Sequence, residues 1–360
     1  MLSKACIVGI YQRKLEYVAQ QGVDLLVLVP PSWKDERGEQ HLERVYTEGY
    51  RLQQTPIILN GRFHLHLYPQ LGDYIHEFKP DIVHIDEEPY NLASWQALFY
   101  AKHIRAKALF FSWQNIARTY PPPFSWGERW VLQTVDYALM GTDSAGEVWR
   151  QKGYRGPMTS IPQFGTDPEL FRCCPPQADR AFTIGYVGRL VEEKGIHHLL
   201  RAAAQLNGAW QIRLVGGGPL QSNLEILAED LGIRQQITFV GQIPSTQMPA
   251  QYQLLDTLVL PSLTRPNWKE QFGRVLVEAM ASCVPVIGSD SGAIPGVIAG
   301  AGLIFSEGDV DGLTAHLQLL QQKADLRQIF GMQGRKRILQ HFTHEGIAKA
   351  TAAVYEKMLQ

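Results

Sequence analysis

Short apolar runs that end in Gly, Pro, Asp or Ser alternate along this chain with longer stretches in which apolar residues recur at helical spacing. Strands buried between layers of helices carry such runs, so an α/β protein is predicted. In the first half the predicted strands are Ala5 to Ile10, Leu25 to Val29, Ile57 to Leu59, Phe63 to Tyr68, Ile82 to Ile85, Ala108 to Ser112, Tyr137 to Gly141 and Met158 to Ile161. Helical spacing runs from Leu15 to Gln21, Leu71 to Phe78, Ser94 to Ile104 and Ala145 to Lys152. Parallel strands joined through helices, a Rossmann-like set, account for that order.

The periodicity breaks between Ile161 and Pro176, at Pro162, Gly165, Pro168, Cys173, Cys174, Pro175 and Pro176, which marks an interdomain linker. A second set then follows. Its strands are predicted at Phe182 to Val187, Gln211 to Val215, Ile237 to Val240, Thr257 to Leu260, Pro285 to Gly288 and Leu303 to Phe305. Its helices are predicted at Ile196 to Leu206, Leu220 to Asp230, Met248 to Leu254, Phe272 to Ser282 and Val310 to Gln322. Two more helices, near Ala324 to Gln340 and His344 to Leu359, lie beyond the sixth strand, and one of them is expected to cross back to the first domain. The expected division is residues 1–165 with 344–360, and residues 166–343. Two such domains would place their strand carboxyl ends around a central cleft, where open parallel sheets bind ligands.

Composition agrees with two folded domains. The chain has 360 residues, 45% hydrophobic and 19% charged, which argues against disorder. Its 34 Lys and Arg balance 35 Asp and Glu, so there is no global field for nucleic acid and no nucleic-acid partner is expected. Cys6, Cys173, Cys174 and Cys283 have neither the spacing of a disulfide framework nor that of a zinc site, so free thiols in a reducing cytosol are expected. No apolar segment reaches the roughly 18 residues of a spanning helix. The expected location is cytoplasmic, with room for peripheral contact at the inner membrane face.

Candidate chemistry concentrates in the second half. Glu270 precedes the predicted helix from Phe272, and Glu278 lies inside it between Val277 and Ala279. A carboxylate on so apolar a helix is costly to bury unless donors or a cation meet it. A polyhydroxyl ligand would supply donors; an exposed Glu278 on a polar helix face is the competing reading. The segment Gly188-Arg189-Leu-Val-Glu192-Glu193-Lys194-Gly195 ends a strand. Glycines, a helix amino end and two cations suit a diphosphate, while pairing of Arg189 and Lys194 with Glu192 and Glu193 at the surface is the alternative. The loop Gly216-Gly217-Gly218-Pro219 fits a dinucleotide fingerprint poorly, because Gln221 takes the last glycine position and no acid ends the next strand, which reads Phe239-Val240-Gly241. An NAD-dependent oxidoreductase is therefore disfavoured.

Taken in order, Gly188-Arg189 with Lys194-Gly195, Gly216 to Pro219, Pro261-Ser262, Glu270-Gln-Phe-Gly with Glu278-Ala-Met-Ala, and Pro285-Val with Ser289-Asp290-Ser-Gly292 resemble the retaining glycosyltransferases of family 4, which have the GT-B architecture. The likeness covers essentially the whole second domain. It implies transfer of a hexose from a nucleotide diphosphate sugar to an acceptor hydroxyl, with retention, without a metal, and in polysaccharide or glycoconjugate synthesis. The nucleotide sugar is a co-substrate, and no cofactor is expected. The acceptor, a glycan or a lipid-linked one, falls to the first domain.

The resemblance also implies roles for individual residues. Arg189 and Lys194, beside Gly188, would bind the donor diphosphate and neutralise the leaving nucleotide. Glu278 would accept from ribose hydroxyls and Glu270 from hydroxyls of the transferred sugar. Amides near Gln271, Phe272 and Gly273 would meet sugar and phosphates, with the backbone around Val240 bordering the base. Glu270, Arg189 and Lys194 form the implied catalytic group, on a front-face path in which leaving phosphate helps deprotonate the acceptor. A noncatalytic nucleotide-sugar-binding protein on the same fold is the rival reading.

The first domain departs from the family pattern. The glycine-rich loop after the first strand shrinks to Gly9-Ile10-Tyr11-Gln12, and Gln114 stands near the position where family members often carry His. Gln114 can hydrogen-bond a sugar but cannot shuttle a proton near neutral pH. Gly9, Glu87 and Gln114 are the acceptor-side candidates, with Glu87 or Glu88 expected as a solvated loop charge. His84 reads as a buried histidine or a ligand, and the cluster from Trp113 to Trp126 as a rigid loop packed on its own domain. Cys283 replaces a usual glycine before Val-Pro and reads as a small buried residue.

Overall fold

The computed structural model describes residues 1–35, 38–174 and 180–360. Pro175 and Pro176 of the expected linker lie outside the described residues. The chain forms two compact units, residues 1–165 with 344–360 (unit 1) and residues 166–343 (unit 2).

In unit 1 the strands are β1 (Leu26–Val29), β2 (Ser32–Asp35), β3 (Gly38–His41), β4 (Arg51–Gln54), β5 (Ile82–Ile85), β6 (Lys107–Ser112), β7 (Tyr137–Met140) and β8 (Met158–Ser160). β5, β6, β7 and β8 pair in that order, all parallel, and β1 pairs in parallel with β4. Leu2 joins the two ladders, bridging Leu28 on one side and Ile85 on the other. The sheet therefore runs β4, β1, the Leu2 segment, β5, β6, β7, β8, the doubly wound order in which the first segment is central.

This arrangement corrects the expected strand at Ala5 to Ile10. Those residues form two short 3-10 turns, Ala5–Ile7 and Gly9–Gln12. Cys6 and Ile7 are still buried, and the Gln12 amide ties the turns down by donating to the Cys6 and Glu43 carbonyls at 2.9 and 2.6 Å. An apolar run alone does not distinguish a strand from a buried turn. The strands expected at Ile57 to Leu59 and Phe63 to Tyr68 reduce to one antiparallel bridge, Ile58 to Leu67. Ile58, Leu59, Phe63 and Leu65 are exposed, so no second layer holds them as strands. The polar strands β2, β3 and β4 carry no apolar signal.

The helix His344–Leu359 belongs to unit 1, as the fold class implied. It packs against the helix Arg13–Gln20, burying Ile347, Ala348, Thr351, Ala352, Val354, Tyr355 and Met358.

Unit 2 contains β9 (Phe182–Val187), β10 (Trp210–Val215), β11 (Ile237–Gly241), β12 (Thr257–Leu260), β13 (Val286–Ser289) and β14 (Leu303–Phe305). They form one parallel sheet in the order β11, β10, β9, β12, β13, β14. All residues of β9, β12 and β13 are buried, which is why these strands read as mostly apolar runs, broken only by the buried Thr183, Thr257 and Ser289. Asp309 caps the helix Val310–Gln322 by accepting from the Gly312 amide at 2.9 Å.

The expectation of four free thiols is corrected here: Cys173 and Cys283 form a disulfide, with Cα atoms 5.0 Å apart. Cys6 and Cys174 are free, the first buried and the second exposed. Sequence spacing did not reveal the pair, because 110 residues separate its members. Among the described residues no helix is long and apolar enough to cross a membrane.

Candidate active site

Unit 2 assembles its chemistry on the loops that follow β9, β12 and β13, at the carboxyl end of the sheet. Gly195 has φ +62, and a Cβ there would lie 2.0 Å from the Pro261 carbonyl oxygen. Only glycine lets the two loops touch. The Leu263 amide fastens them further by donating to the Glu193 carbonyl at 2.8 Å. This contact carries Lys194 to Glu270: Lys194 Nζ donates to Glu270 Oε2 at 2.5 Å and lies 4.9 Å from the Trp268 ring centre. Ser262 Oγ donates to the same carboxylate oxygen at 2.9 Å.

The third loop fixes the backbone of Glu270. The Ala293 amide donates to the Glu270 carbonyl at 3.0 Å, and a Cβ on Gly292 would sit 2.1 Å from that oxygen. Ser289 Oγ donates to the Ser262 carbonyl at 2.6 Å. Residues 76 positions apart in sequence, Lys194 and Glu270, are thus brought together as a mostly buried ion pair. Surface pairing of Lys194 with Glu192 or Glu193 is not what the structure has.

Arg189 is exposed, and its guanidinium pairs with no acid among the described residues. Its carbonyl accepts from Tyr186 Oη at 2.7 Å, which shapes the loop. Gly188 lies against the glycine loop after β10: a Cβ on Gly216 would fall 1.9 Å from the Gly188 carbonyl, and Leu190 donates to the Gly217 carbonyl at 3.0 Å. The Gly216 to Pro219 loop is a packing element.

Glu278 is buried on the helix Arg274–Ala281, not exposed on a polar face. Tyr252 Oη donates to its Oε2 and Arg274 Nε to its Oε1, both at 2.7 Å. Burial foremost, with the Glu278 charge behind it, pushes the Tyr252 hydroxyl well above its ordinary range. Gly273, at φ +76, opens this helix, and the exposed Gln271 and half-buried Phe272 precede it. Val240, on β11, is half-buried.

Unit 1 has its own polar cluster after β5. Glu87 is buried, not a solvated loop charge: Lys4 pairs with it, Asn91 Nδ2 donates to it at 3.3 Å, and His66 Nε2 stands 3.6 Å away. Burial alone would raise its carboxyl, but Lys4 and His66 outweigh that and hold it down at about 2. Its neighbour Glu88 accepts from Ser112 Oγ at 2.6 Å and from the Trp113 amide at 3.0 Å, and burial pushes it up to about 7. Adjacent carboxylates so placed divide into one ionised and one titrating near neutrality. Adjacency in sequence did not show which would be which.

The Gly9 amide donates to Glu43 at 2.6 Å, and a Cβ there would meet Val45 at 2.3 Å, so Gly9 serves close packing. Gln114 is buried; its Nε2 donates to the Ile116 carbonyl at 3.0 Å and its Oε1 has no hydrogen-bond partner. His84 is a buried histidine whose Nδ1 meets Tyr355 Oη at 2.6 Å, and burial keeps it well below the ordinary imidazole range. Tyr120 and Phe124 pack on Tyr90 and His64, as a loop seated on its own unit requires, whereas Trp126 is exposed.

Residues 175–337 match the family model described as glycosyl transferases group 1. The doubly wound units and this match give the chain the GT-B fold and relate it, through unit 2, to that family. Among curated relatives, it is 29% identical over 240 residues to MMP alpha-(1->4)-mannosyltransferase of Mycolicibacterium hassiacum, covering 64% of this chain and 56% of that protein. The chain spans about half the length of the curated relatives it matches. Among solved structures, Anabaena HepE in complex with UDP superposes with TM-score 0.74 at 16% identity, over 99% of this chain and 98% of that one. Sucrose-phosphate synthase from Thermosynechococcus elongatus superposes with TM-score 0.70 at 22% identity, over 97% and 93%. At these identities the superpositions concern the fold.

Proposed function

We propose that the protein is a retaining glycosyltransferase that moves a hexose from a nucleotide diphosphate sugar to an acceptor hydroxyl, without a metal. The observation that carries the reading is the Lys194 to Glu270 pair, held by Ser262 at the carboxyl ends of β9 and β12 within the region matched to glycosyl transferases group 1. Arg189 and Lys194 supply the positive charge that a departing nucleotide diphosphate requires. The exposed, acid-free Arg189 is available to phosphate, and Lys194 exchanges part of its bond to Glu270 for a phosphate oxygen. Glu270 then turns an acceptor oxygen to the sugar hydroxyls, with the amides of Gln271, Phe272 and Gly273 beside it. Glu278 receives ribose hydroxyls, and the backbone at Val240 borders the base.

A nucleotide-dependent role is also supported by the relatives: one structural neighbour is a UDP complex, and a curated relative is named a GDP-mannose-dependent mannosyltransferase. In unit 1, the partnerless Oε1 of Gln114 is the atom through which an acceptor glycan or lipid-linked saccharide is recognised, while Gly9 and Glu87 hold their loops in place. Isothermal titration with UDP, GDP and ADP, followed by a nucleotide-sugar screen read by mass spectrometry, tests the reading. Glu278→Gln should weaken the binding nucleotide by roughly tenfold or more. Equal affinity in mutant and parent removes the ribose role, and no donor turnover with any nucleotide sugar removes the activity.

A further inference from the structure

Glu88 lies between β5 and the helix Leu92–His103, and its backbone is tied to the start of that helix: its carbonyl accepts from the Asn91 amide at 3.0 Å and from Ser94 Oγ at 2.8 Å. Its side chain reaches the end of β6. Ser112 Oγ, on the last residue of that strand, accepts from Trp149 Nε1 at 2.8 Å and from the Gln114 amide at 3.0 Å, and donates to Glu88 Oε2 at 2.6 Å. A hydroxyl has two lone pairs and one proton. With both lone pairs facing N–H donors, the Ser112 proton is committed to Glu88. The Trp113 amide can only donate, and it takes the other carboxylate oxygen at 3.0 Å. Both oxygens of Glu88 are therefore used as acceptors, by the two residues that lead from β6 to Gln114. The same turn orients Gln114. Its Nε2 donates to the Ile116 carbonyl at 3.0 Å, which leaves the buried, partnerless Oε1 for a donor from outside the chain. An amide oxygen only accepts, so a ligand hydroxyl completes it.

Given the acceptor role proposed for Gln114, we infer that Glu88 is a positioning residue of the acceptor site: its ionised carboxylate clamps Ser112 and Trp113 so that Gln114 Oε1 meets an acceptor hydroxyl, and protonation loosens the clamp. A proton on either oxygen removes the charge and occupies a lone pair, and hydrogen bonds to a charged group are the stronger kind. Burial opposes the ionised form more than the two bonds and Lys4 favour it, and Glu87 adds to the opposition, which puts the exchange at about 7. The neighbouring groups leave that exchange to Glu88. Burial keeps the Tyr90 and Tyr120 hydroxyls protonated and holds His64 below its ordinary value, with Arg118 acting on all three. His66 faces Glu87, Asp86 accepts from Ser3 and Gln163, and Lys152 pairs with Glu128 beside Tyr120. Acceptor affinity should therefore improve as pH rises through 7.

The test compares the parent chain, Glu88→Gln and Gln114→Ala. Without any acceptor, the Trp113 and Gln114 amide resonances of the parent should shift in one step with its midpoint near pH 7, and Glu88→Gln should lack the step. No step in the parent, or the same step in Glu88→Gln, overturns the proposal. Kinetics follow with the octyl glycosides of glucose, galactose and mannose as acceptor probes and the nucleotide sugar that the screen shows to turn over. From pH 8 to pH 6 the parent's acceptor KM should rise about tenfold, the change in ionised fraction of one group titrating at about 7, while kcat and the donor KM stay level. Glu88→Gln should hold the raised acceptor KM at both pH values. An equal pH slope in Glu88→Gln and the parent overturns the role of Glu88, as does a loss shared by kcat and the donor KM, which marks a merely structural effect. An unchanged acceptor KM in Gln114→Ala is a different failure, because it removes the acceptor reading of Gln114 and the proposal with it.

Discussion

Removing either partner of the Lys194 to Glu270 pair should cost much more than removing both. At 2.5 Å and an effective dielectric of about 20, the gross attraction is about 7 kcal/mol. The two side chains are 18% and 10% exposed, so solvent screening and the cost of dehydrating both ions offset most of it. A coupling of about 1–3 kcal/mol should survive. Denaturant unfolding of Lys194→Met, Glu270→Gln and the double variant closes the cycle. Glu270→Gln keeps the Ser262 hydroxyl as a donor to the retained carbonyl, so the cycle isolates charge. A coupling below about 0.5 kcal/mol would mean that the pair behaves as a solvent-exposed one and is not held by burial. The same variants separate stability from catalysis: Lys194→Met should lower turnover by about 100-fold even where the fold persists, since the leaving group loses a cation.

Glu88 ought to make stability fall with rising pH. Its folded value of about 7 lies above the ordinary 4.5, so its contribution is present in full below about pH 4.5 and is lost as pH rises through 7. Glu87, held at about 2, acts in the opposite sense and only in more acidic solution. Unfolding curves from pH 4.5 to 7.5 should flatten in Glu88→Gln, and an unchanged slope would mean that Glu88 does not titrate there. Gly195→Ala should cost at least about 2 kcal/mol, because left-handed backbone strain adds to a clash with the Pro261 carbonyl. Gly300→Ala, at φ +81 with no atom within 4 Å of the added Cβ, is the control for strain alone, and equal losses would remove the packing argument. Thiol titration of the denatured, unreduced chain should count only Cys6 and Cys174. Reduction should then destabilise unit 2 by about 2–5 kcal/mol, since the bond closes a separation of 110 residues; four reactive thiols before reduction would contradict the disulfide.

Unit 2 was nearly transparent to sequence. Its central strands are buried on both faces, so Phe182 to Val187 and Thr257 to Leu260 stand out as apolar runs bounded by turn residues, and both match β9 and β12 to the residue. Unit 1 was harder, for two reasons. Cys6 and Ile7 are as buried as strand residues but sit in turns, because Leu2 already occupies the central sheet position. β2, β3 and β4 are made of polar residues, so period-two patterning has nothing to mark. The chemical residues were legible by type, their pairing less so. That Lys194 meets Glu270 depends on Gly195 lying against Pro261, a contact between distant loops, and the different fates of Glu87 and Glu88 depend on Lys4, His66 and Ser112, each supplied by another segment.

The return of residues 344–359 to unit 1 sets an order of events during synthesis. Every residue of unit 2 leaves the ribosome before the helix that covers Leu15 and Val18 exists, so the earlier-made half must wait, with part of its core exposed, while the later-made half is already able to fold. Crowding or chaperone shortage during translation should therefore injure the amino-terminal half first.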